Sequence, residues 1–101
     1  MAIAGDKYDF TQENVDKSPT KTGVYALYDG NLTIYIGRAS GTDTIRARLQ
    51  SHKRGDEGSC TQKATDYRRE ECTTPVSREK ELLDEYKQNY GKLPRCNEVM
   101  P

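Results

Sequence analysis

Five polar side chains occupy positions at which the hydrophobic pattern of the chain predicts burial. Tyr25 and Tyr35 lie in two strand-like runs, and each is bracketed by an aliphatic residue and a glycine, as Gly-Val-Tyr and Tyr-Ile-Gly. Arg48, His52 and Glu79 lie in two helix-like segments, on the side that also carries aliphatic residues. Burying such groups costs free energy unless they are paired with one another or are used for chemistry.

This set of side chains suits the hydrolysis of a phosphodiester. A carboxylate on a rigid helix can hold one Mg²⁺ whose remaining ligands are water and phosphate oxygens. The cation polarises the phosphodiester and stabilises its leaving oxygen, and an arginine can neutralise the charge that develops on the phosphate. A phenol or an imidazole can transfer a proton to or from the attacking water. The residues by themselves therefore predict a nuclease that uses one metal ion.

Two alternating runs predict the β-hairpin that carries both tyrosines. The segments 24–28 (VYALY) and 32–36 (LTIYI) are rich in β-branched and aromatic residues, and the turn sequence Asp-Gly-Asn separates them. The two-residue period of a strand places Tyr35 on the face opposite both Ile34 and Ile36.

The segment 45–54 predicts a helix that ends at Gly55. At about 100° per residue, one stripe of this helix mixes two aliphatic side chains with a cation and an imidazole. The four residues of the stripe are Ile45, Leu49, Arg48 and His52. An arginine and the single histidine on a core-facing stripe require either a partner or a function.

The segment 75–90 predicts a second helix, with Pro75 at its first position and Gly91 beyond its end. On the helical wheel, Glu79 falls in the middle of the apolar cluster, whereas the competing candidate Glu81 falls on the solvated side. The wheel therefore selects Glu79 as the metal ligand. The apolar cluster consists of Leu82, Leu83, Tyr86 and Tyr90.

The rest of the chain predicts smaller elements. Thr11 is suited to cap a short helical turn that ends before Pro19. Residues 56–63 have the composition of a loop, residues 64–72 favour a short third strand with an inward Tyr67, and the C-terminal tail favours an extended turn.

The formal net charge of the 101-residue chain is zero, but the charges are unevenly distributed. Residues 38–69 hold eight basic and four acidic side chains, whereas residues 70–86 hold two basic and six acidic ones. The basic run at 46–54 is typical of a solvated helix face and equally of a face that follows a phosphate backbone. Taking the second interpretation, we predict that nucleic acid contacts Arg38, Arg46, Lys53, Arg54, Arg68 and Arg69.

Three cysteines, Cys60, Cys72 and Cys96, are an odd number without CxxC spacing. A disulfide scaffold is therefore not expected, and a reducing, cytoplasmic environment fits the composition better. A zinc site formed by the cysteines and His52 is an alternative that the spacing does not favour. No segment has the run of about 20 apolar residues that a membrane helix needs, and the N-terminus lacks the features of a signal peptide.

In this order and spacing, the residues resemble the GIY-YIG nuclease domain. The first motif reads Gly-Val-Tyr, with Val24 in place of the usual isoleucine, and the second, Tyr-Ile-Gly, is intact at 35–37. The family then has a helix with an Arg-Leu pair and a His or Tyr four residues after the arginine. The corresponding residues here are Arg48, Leu49 and His52.

Further positions extend the resemblance over about residues 22–98, nearly the whole chain. Glu79 stands before the aliphatic residues Leu82 and Leu83, as a glutamate does in the family. Arg38 provides the basic residue after the second motif, and Pro94 and Asn97 match the proline and asparagine that close the domain. The loop after the second motif is longer than in the excision-repair members. Because no DNA-targeting module accompanies the domain, sequence specificity is expected to be low or to come from a partner protein.

The resemblance implies one α+β domain over residues 1–101, with a three-stranded antiparallel sheet flanked by helices. It also implies metal-dependent hydrolysis of nucleic acid, DNA more than RNA, and assigns roles to six residues. These are Tyr25 in the activation of water, Tyr35 and His52 in proton transfer or orientation, Arg48 on the phosphate, Glu79 on Mg²⁺ or Mn²⁺, and Asn97 in orienting the site or contacting phosphate.

A module that binds nucleic acid and cuts it poorly is the alternative function. Taken singly, each tyrosine is more often a packed strand residue, and Arg48 and His52 are more often a surface arginine and a satisfied buried histidine. Asn97 would then satisfy backbone groups near the C-terminus. A carboxylate beside a phosphate is of no use to a pure binding module, and Glu79 therefore favours the nuclease.

Overall fold

Four antiparallel strands form the centre of the computed structural model, which describes residues 3–99 of the chain. Within these residues the strands are β1 (Tyr8–Asp9), β2 (Gly23–Asp29), β3 (Leu32–Ala39) and β4 (Asp66–Glu71), in the spatial order β1-β4-β2-β3. The helices of the same part of the chain are α1 (Gln12–Asp16), α2 (Ile45–Arg54), α3 (Ser59–Gln62), α4 (Pro75–Tyr90) and α5 (Arg95–Val99). None of these helices has the length and hydrophobicity that a bilayer-spanning segment requires.

The prediction of a three-stranded sheet was wrong by one strand. β1 adds a two-residue edge to β4, with Tyr8 opposite Tyr67. The Tyr8 ring lies 5.5 Å from the Tyr67 ring, and the Arg69 guanidinium covers it at 4.6 Å. Two residues are too few to show a strand period, and β1 is therefore defined by its tertiary partner and not by its own pattern.

The predicted hairpin of β2 and β3 is confirmed, but one extra residue interrupts its pairing. Leu27 pairs with Tyr35 and Tyr28 pairs with Thr33, so Ile34 stands between them as a β-bulge. Ile34 consequently packs on the same face of the sheet as Tyr35. The prediction that Ile34 lies opposite Tyr35 was wrong, because strict alternation cannot reveal an inserted residue.

The helices cover both faces of the sheet. α2 packs on β2 and β3 on one side, here called the α2 face, and α4 packs on the same strands on the other side, the α4 face. The core of the α2 face includes Tyr25, Leu27, Ile45, Leu49 and Tyr67, none of which has exposed surface. The core of the α4 face consists of Val24, Ala26, Tyr28, Ile36 and Leu82.

The predicted helix boundaries agree with those of α1, α2 and α4. The Thr44 hydroxyl accepts a hydrogen bond from the Ala47 N–H at 3.1 Å and caps α2, and Gly55 ends it with a φ of 86° that an L side chain rarely adopts. α4 begins at Pro75 and stops at Gly91. Tyr90 departs from the predicted inner cluster, since it is 65% exposed and stacks on Tyr86 outside the core.

Two segments predicted to be irregular contain one-turn helices. α3 lies within the predicted loop 56–63, and α5 lies within the tail that was predicted to be extended. A helix of four or five residues is too short to show a hydrophobic period, and contacts with the rest of the fold hold it in place. Thr61 of α3 and Cys96 of α5 are both fully buried.

A disulfide between Cys60 and Cys96 joins α3 to α5, and the expectation that disulfides do not support this fold was therefore wrong. The two residues are 36 positions apart, and neither their number nor their spacing indicates a pair. The fold brings them together by placing both short helices at one side of the α2 face. Cys72, the third cysteine, is free and half-buried.

We predict that Leu82→Ala lowers the free energy of unfolding by about 2–4 kcal/mol, because Leu82 is buried between α4 and the sheet and its loss leaves a cavity. Leu32→Ala is the matched control, since Leu32 is 50% exposed and should cost less than about 1 kcal/mol. Urea unfolding of both variants measures the difference. Equal losses would contradict the packing of α4 described above.

Candidate active site

An open cavity of about 460 Å³ lies beside β3, where α2, α4 and α5 approach the strand. Polar and charged side chains dominate its wall. The lining residues of this cavity are Tyr35, Arg38, Ser40, Asp43, Arg48, Glu79, Leu83, Leu93 and Asn97. Five of the residues that the sequence nominated therefore meet in one place, namely Tyr35, Arg38, Arg48, Glu79 and Asn97.

The two tyrosines lie at different depths behind this wall. The Tyr25 side chain is fully buried, whereas Tyr35 is half-buried and faces the cavity. Their ring centroids are 6.1 Å apart, and the pairing of the strands places Gly37 opposite Tyr25. A Cβ on Gly37 would lie 2.6 Å from the hydroxyl oxygen of Tyr25 and 2.7 Å from the ring of Tyr35. The glycine of the second motif is therefore required so that both rings can lie against the strand.

His52 forms a buried chain of hydrogen bonds behind the tyrosines. Its Nε2 lies 2.8 Å from the Tyr25 hydroxyl, and its Nδ1 lies 2.7 Å from the Thr61 hydroxyl. Burial and the positive charge of Arg48 lower the pKa of His52 to about 4, so the ring is neutral at pH 7. A neutral imidazole donates at one nitrogen and accepts at the other, and the two hydroxyl groups can serve either arrangement.

Both phenols keep their protons in the resting site. Burial raises the pKa of Tyr25 well above its usual range, and the neighbouring Tyr35 adds to the rise. Burial also raises the pKa of Tyr35, against the opposing effect of the Arg48 charge. The positive charge of Arg48 opposes the rise for Tyr25 as well. The Tyr35 ring lies 6.1 Å from the Tyr25 ring and 4.9 Å from the His52 ring, so the two phenols and the imidazole are close neighbours from the cavity wall to the interior.

Arg48 is held by two carboxylates that the sequence analysis did not nominate. Its guanidinium donates two hydrogen bonds to Glu57, with N···O distances of 3.0 and 3.4 Å. Its Nε lies 3.7 Å from the Asp43 carboxylate, which lines the same cavity. About a quarter of the Arg48 side chain is exposed, so these pairs are only partly screened by solvent.

Glu79 is the α4 carboxylate that reaches the cavity, and Arg38 pairs with it at 2.6 Å. The Glu79 side chain is only 17% exposed, whereas that of Glu81 is 63% exposed and pairs with Arg78. The helical-wheel distinction between the two acids therefore corresponds to a real difference in position. The role of Glu79 as a metal ligand stays a prediction.

The side-chain amide of Asn97 hydrogen-bonds the backbone of β3. Its Nδ2 donates to the Ile36 carbonyl, and its Oδ1 accepts from the Ile36 N–H, both at 2.9 Å. Ile36 lies between Tyr35 and Gly37 on the outer strand of the sheet, where backbone groups have no neighbouring strand. Asn97 thereby satisfies the backbone groups of Ile36 and holds the strand segment next to Tyr35. Its role in an active site stays a prediction.

In the described part of the chain, the other basic residues nominated for nucleic-acid contact do not line the cavity with Arg38. Arg46 and Lys53 each donate to a backbone carbonyl, and Arg54 pairs with the adjacent Asp56. These three side chains of α2 therefore already have hydrogen-bond or ion-pair partners within the protein. Their contact with nucleic acid stays a prediction.

Arg68 and Arg69 lie on opposite faces of β4. Arg68 donates to the Tyr28 hydroxyl at 3.2 Å on the α4 face, whereas the Arg69 guanidinium lies over the Tyr8 ring. The two arginines therefore do not form one surface, although they are adjacent in sequence. A basic run in a strand is divided between two faces by the strand period.

The donor set fits a cation that keeps most of its water. Glu79 and Asp43 line one open cavity, and Mg²⁺ is usually bound through one or two carboxylates while water and phosphate complete its shell. Among residues 3–99, no group of three or more His, Cys, Asp or Glu side chains is arranged to cage a metal. A zinc site at His52 is also contradicted, because both ring nitrogens are hydrogen-bonded and two of the cysteines are joined.

Comparison of the sequence with protein-family models and with curated proteins finds no match. The structure, in contrast, matches crystal structures of the GIY-YIG N-terminal endonuclease domain of UvrC from Thermotoga maritima. The chain has the GIY-YIG fold. The match to the magnesium-bound form has a TM-score of 0.59 at 18% identity and covers 84% of this chain and 92% of that chain.

Point mutants of the same Thermotoga domain match equally well. One carries phenylalanine in place of a tyrosine and another alanine in place of an asparagine, and each is described as bound to its catalytic divalent cation. Both have a TM-score of 0.59 at 18% identity and cover 84% of this chain and 91% of that chain. At this identity the likeness concerns the fold, and the GIY-YIG fold of the present chain includes β1 as a fourth strand.

Sequence reasoning missed three residues around the candidate site: Asp43, Glu57 and Thr61. Asp43 precedes the cap of α2, and Glu57 follows the end of that helix, so both lie outside any periodic segment. Thr61 lies in a single turn of helix. The composition of the loop before α2 offered a weak signal for Asp43, and nothing in the pattern indicated the other two residues.

We predict that His52 makes stability depend on pH between about 6.5 and 4. Because the pKa of His52 is lowered from 6.5 to about 4 by folding, the unfolded chain binds this proton more readily. Stability is therefore lost as the pH falls through that window, by on the order of 3 kcal/mol at its lower end. Urea unfolding from pH 7 to about pH 4 measures the loss.

The control for this prediction is His52→Gln, which retains a hydrogen-bonding amide but does not titrate. Carboxylates such as Glu70, whose pKa is lowered by its hydrogen bonds with Arg78, contribute to the acid response of both proteins and cancel in the difference. The wild type should therefore lose more stability than the variant over the window. Identical pH dependence in both proteins would contradict a buried, neutral His52.

Proposed function

We propose that the protein is a metal-dependent endonuclease of the GIY-YIG type that hydrolyses phosphodiester bonds in nucleic acid, DNA in preference to RNA. One observation carries the proposal. A single open cavity brings together the carboxylate of Glu79, the guanidinium of Arg48 and the phenol of Tyr35, with Tyr25 and His52 hydrogen-bonded behind them. The likeness of the fold to a magnesium-bound endonuclease domain supports the same function.

The charged residues have separate tasks in this proposal. Glu79 holds Mg²⁺ or Mn²⁺, which when bound polarises the phosphodiester and stabilises its leaving oxygen. Arg48 binds the scissile phosphate and neutralises the charge that develops on it. Arg38, which pairs with Glu79 at rest, is free to contact the phosphate backbone once the carboxylate has another cation. Asn97 keeps β3 and Tyr35 in position through Ile36.

The tyrosines and His52 move the proton of the attacking water. Tyr25 is fully buried and Tyr35 lines the cavity, so Tyr35 accepts the proton of the water as it passes its own phenolic proton to Tyr25, and Tyr25 passes its own proton to Nε2 of the neutral His52. His52 is a weak base at rest because burial, and to a smaller extent the Arg48 charge, lowers its pKa. A phosphate anion on Arg48 offsets that charge and strengthens His52 as a base when the substrate is bound.

A module that binds nucleic acid and cuts it poorly is the second candidate. The observation that favours it is that both cavity arginines are already paired with carboxylates, Arg48 with Glu57 and Arg38 with Glu79. Such a module would take its specificity from a partner protein. It predicts binding that weakens with salt and no metal-dependent product, and the absence of this product distinguishes it from the nuclease.

Nicking of supercoiled plasmid DNA tests the proposal. We expect nicking with Mg²⁺ or Mn²⁺ that EDTA abolishes, and a decrease of at least about 100-fold in Glu79→Gln, because a metal ligand supplies several kcal/mol of transition-state stabilisation. Glu81→Gln is the matched control, since Glu81 lies two residues away on the same helix and is mostly exposed. Its nicking should equal that of the wild type.

Three results would contradict parts of this proposal. Equal nicking by Glu79→Gln and wild type would remove Glu79 as the metal ligand. Binding of the plasmid without nicking in either metal would favour the binding module. Cleavage of RNA but not of DNA would overturn the preferred substrate while leaving the chemistry in place.

We predict that Glu57→Gln tightens the binding of a short DNA duplex by about 2- to 5-fold. Glu57 occupies two donors of the Arg48 guanidinium, and a partly exposed ion pair of this kind contributes up to about 1 kcal/mol. Removing the charge frees Arg48 for phosphate. Fluorescence anisotropy of a labelled duplex in EDTA measures the affinity without cleavage.

Asp56→Asn is the control for the effect of net charge, because Asp56 is adjacent, exposed and paired with Arg54. It removes the same charge without freeing Arg48. Equal tightening in both variants would reveal a general charge effect. Weaker binding by Glu57→Gln would show instead that Glu57 positions Arg48 for the substrate.

A further inference from the structure

Two one-turn helices beside the active site are joined covalently. α3 and α5 have four and five residues, and helices of this length are not stable by themselves in water. The disulfide between Cys60 of α3 and Cys96 of α5 links them. Cys96 has no exposed surface and packs in the core of the α2 face, so the link attaches both helices to that core.

Each of these helices carries, directly after its cysteine, a residue that holds a group of the active site. Thr61 follows Cys60, and its hydroxyl oxygen lies 2.7 Å from Nδ1 of the buried His52. Asn97 follows Cys96, and its amide makes two hydrogen bonds of 2.9 Å with the backbone of Ile36.

The two contacts control different parts of the site. Thr61 sets the orientation of the His52 ring, and therefore the nitrogen that faces Tyr25. Asn97 sets the position of the strand segment that carries Tyr35 and Gly37. A residue that moves by about 1 Å can cost an active site on the order of 100-fold in rate. One covalent bond between the helices thus fixes both the imidazole and the strand.

We propose that the Cys60–Cys96 disulfide positions the active site by holding Thr61 and Asn97 in place, so that its reduction reversibly lowers nuclease activity. For its activity measurement the inference rests on the proposed nuclease function. The reductant is a dithiol. Cleavage of the S–S bond takes up two electrons and two protons and leaves two thiols, while the dithiol loses two electrons and two protons and forms its own disulfide.

Counting thiols is the first test. Alkylation of the unfolded protein without reductant should label one cysteine, Cys72, and alkylation after reduction should label all three. Labelling of three cysteines without reductant, in protein purified and unfolded under air, would overturn the proposal at once.

Nitrogen NMR of the folded protein is the second test, because the chain has a single histidine and its ring signals are therefore unambiguous. Reduction should shift the ring nitrogens of His52 and the backbone amide of Ile36, and reoxidation should restore them. The double variant Cys60→Ser with Cys96→Ser should show the reduced spectrum permanently. Thr61→Val, which keeps the disulfide, should shift His52 and leave Ile36 unchanged.

Plasmid nicking under the same conditions completes the experiment. Activity should fall by about 10- to 100-fold on reduction or in the double variant, as is usual when residues that orient active-site groups are lost. Cys72→Ser, which leaves the disulfide intact, should nick like the wild type and keep its response to the dithiol. The oxidised wild type, the reduced wild type and each variant are compared at a temperature at which circular dichroism shows all of them folded.

The outcomes separate this inference from the proposed function. If His52 and Ile36 keep their signals after complete reduction, the disulfide does not position the site, whatever the activity. If the signals shift but folded, reduced protein nicks at the full rate, the disulfide has no bearing on catalysis. If oxidised wild type never nicks while the signals respond to reduction, the proposed function fails and the structural coupling stands.

Discussion

The hydrogen bond between the Tyr25 hydroxyl and Nε2 of His52 joins the central sheet to α2 at a point with no access to solvent. Both groups are polar and buried, and an unpaired member would cost free energy in an interior of low dielectric constant. Every neighbour therefore has to complete the network. Thr61 satisfies the second nitrogen of His52, and the Tyr35 ring packs against both Tyr25 and His52. The cavity lies directly in front of this network, so the positions of the groups that line it depend on the network.

Close backbone approach makes this arrangement sterically possible. Gly37 leaves room for the rings of Tyr25 and Tyr35, and a Cβ on Gly23 would lie 2.2 Å from the Glu70 carbonyl oxygen of β4. The glycines of both motifs thus have packing reasons that do not depend on their backbone dihedral angles. The bulge at Ile34 belongs to the same constraint, because it changes the phase of β3 before the strand reaches Tyr35.

The charged side chains around the cavity are paired with one another in ion pairs. Arg38 and Arg48 face Asp43, Glu57 and Glu79, and these five groups together carry a charge of −1. A net negative site attracts a cation and repels a phosphate that arrives without one. Each arginine is also held in a defined place by its carboxylate, which keeps long side chains ordered before substrate binds. The same ion pairs therefore hold the arginines in place and repel a phosphate that arrives without a cation.

The sequence by itself determined the hairpin, α2 and α4, because these elements are long enough to show a period and have capping residues at their ends. It also selected Tyr35, Arg48 and Glu79, which the fold does bring to one cavity. Only the tertiary structure decided the pairing of β1, the bulge, the disulfide and the contacts of Asp43, Glu57 and Thr61. These features join residues that are far apart along the chain or lie in segments of a few residues. Local sequence propensity cannot predict such contacts, because their stabilising energy comes from residues that only the tertiary structure brings close.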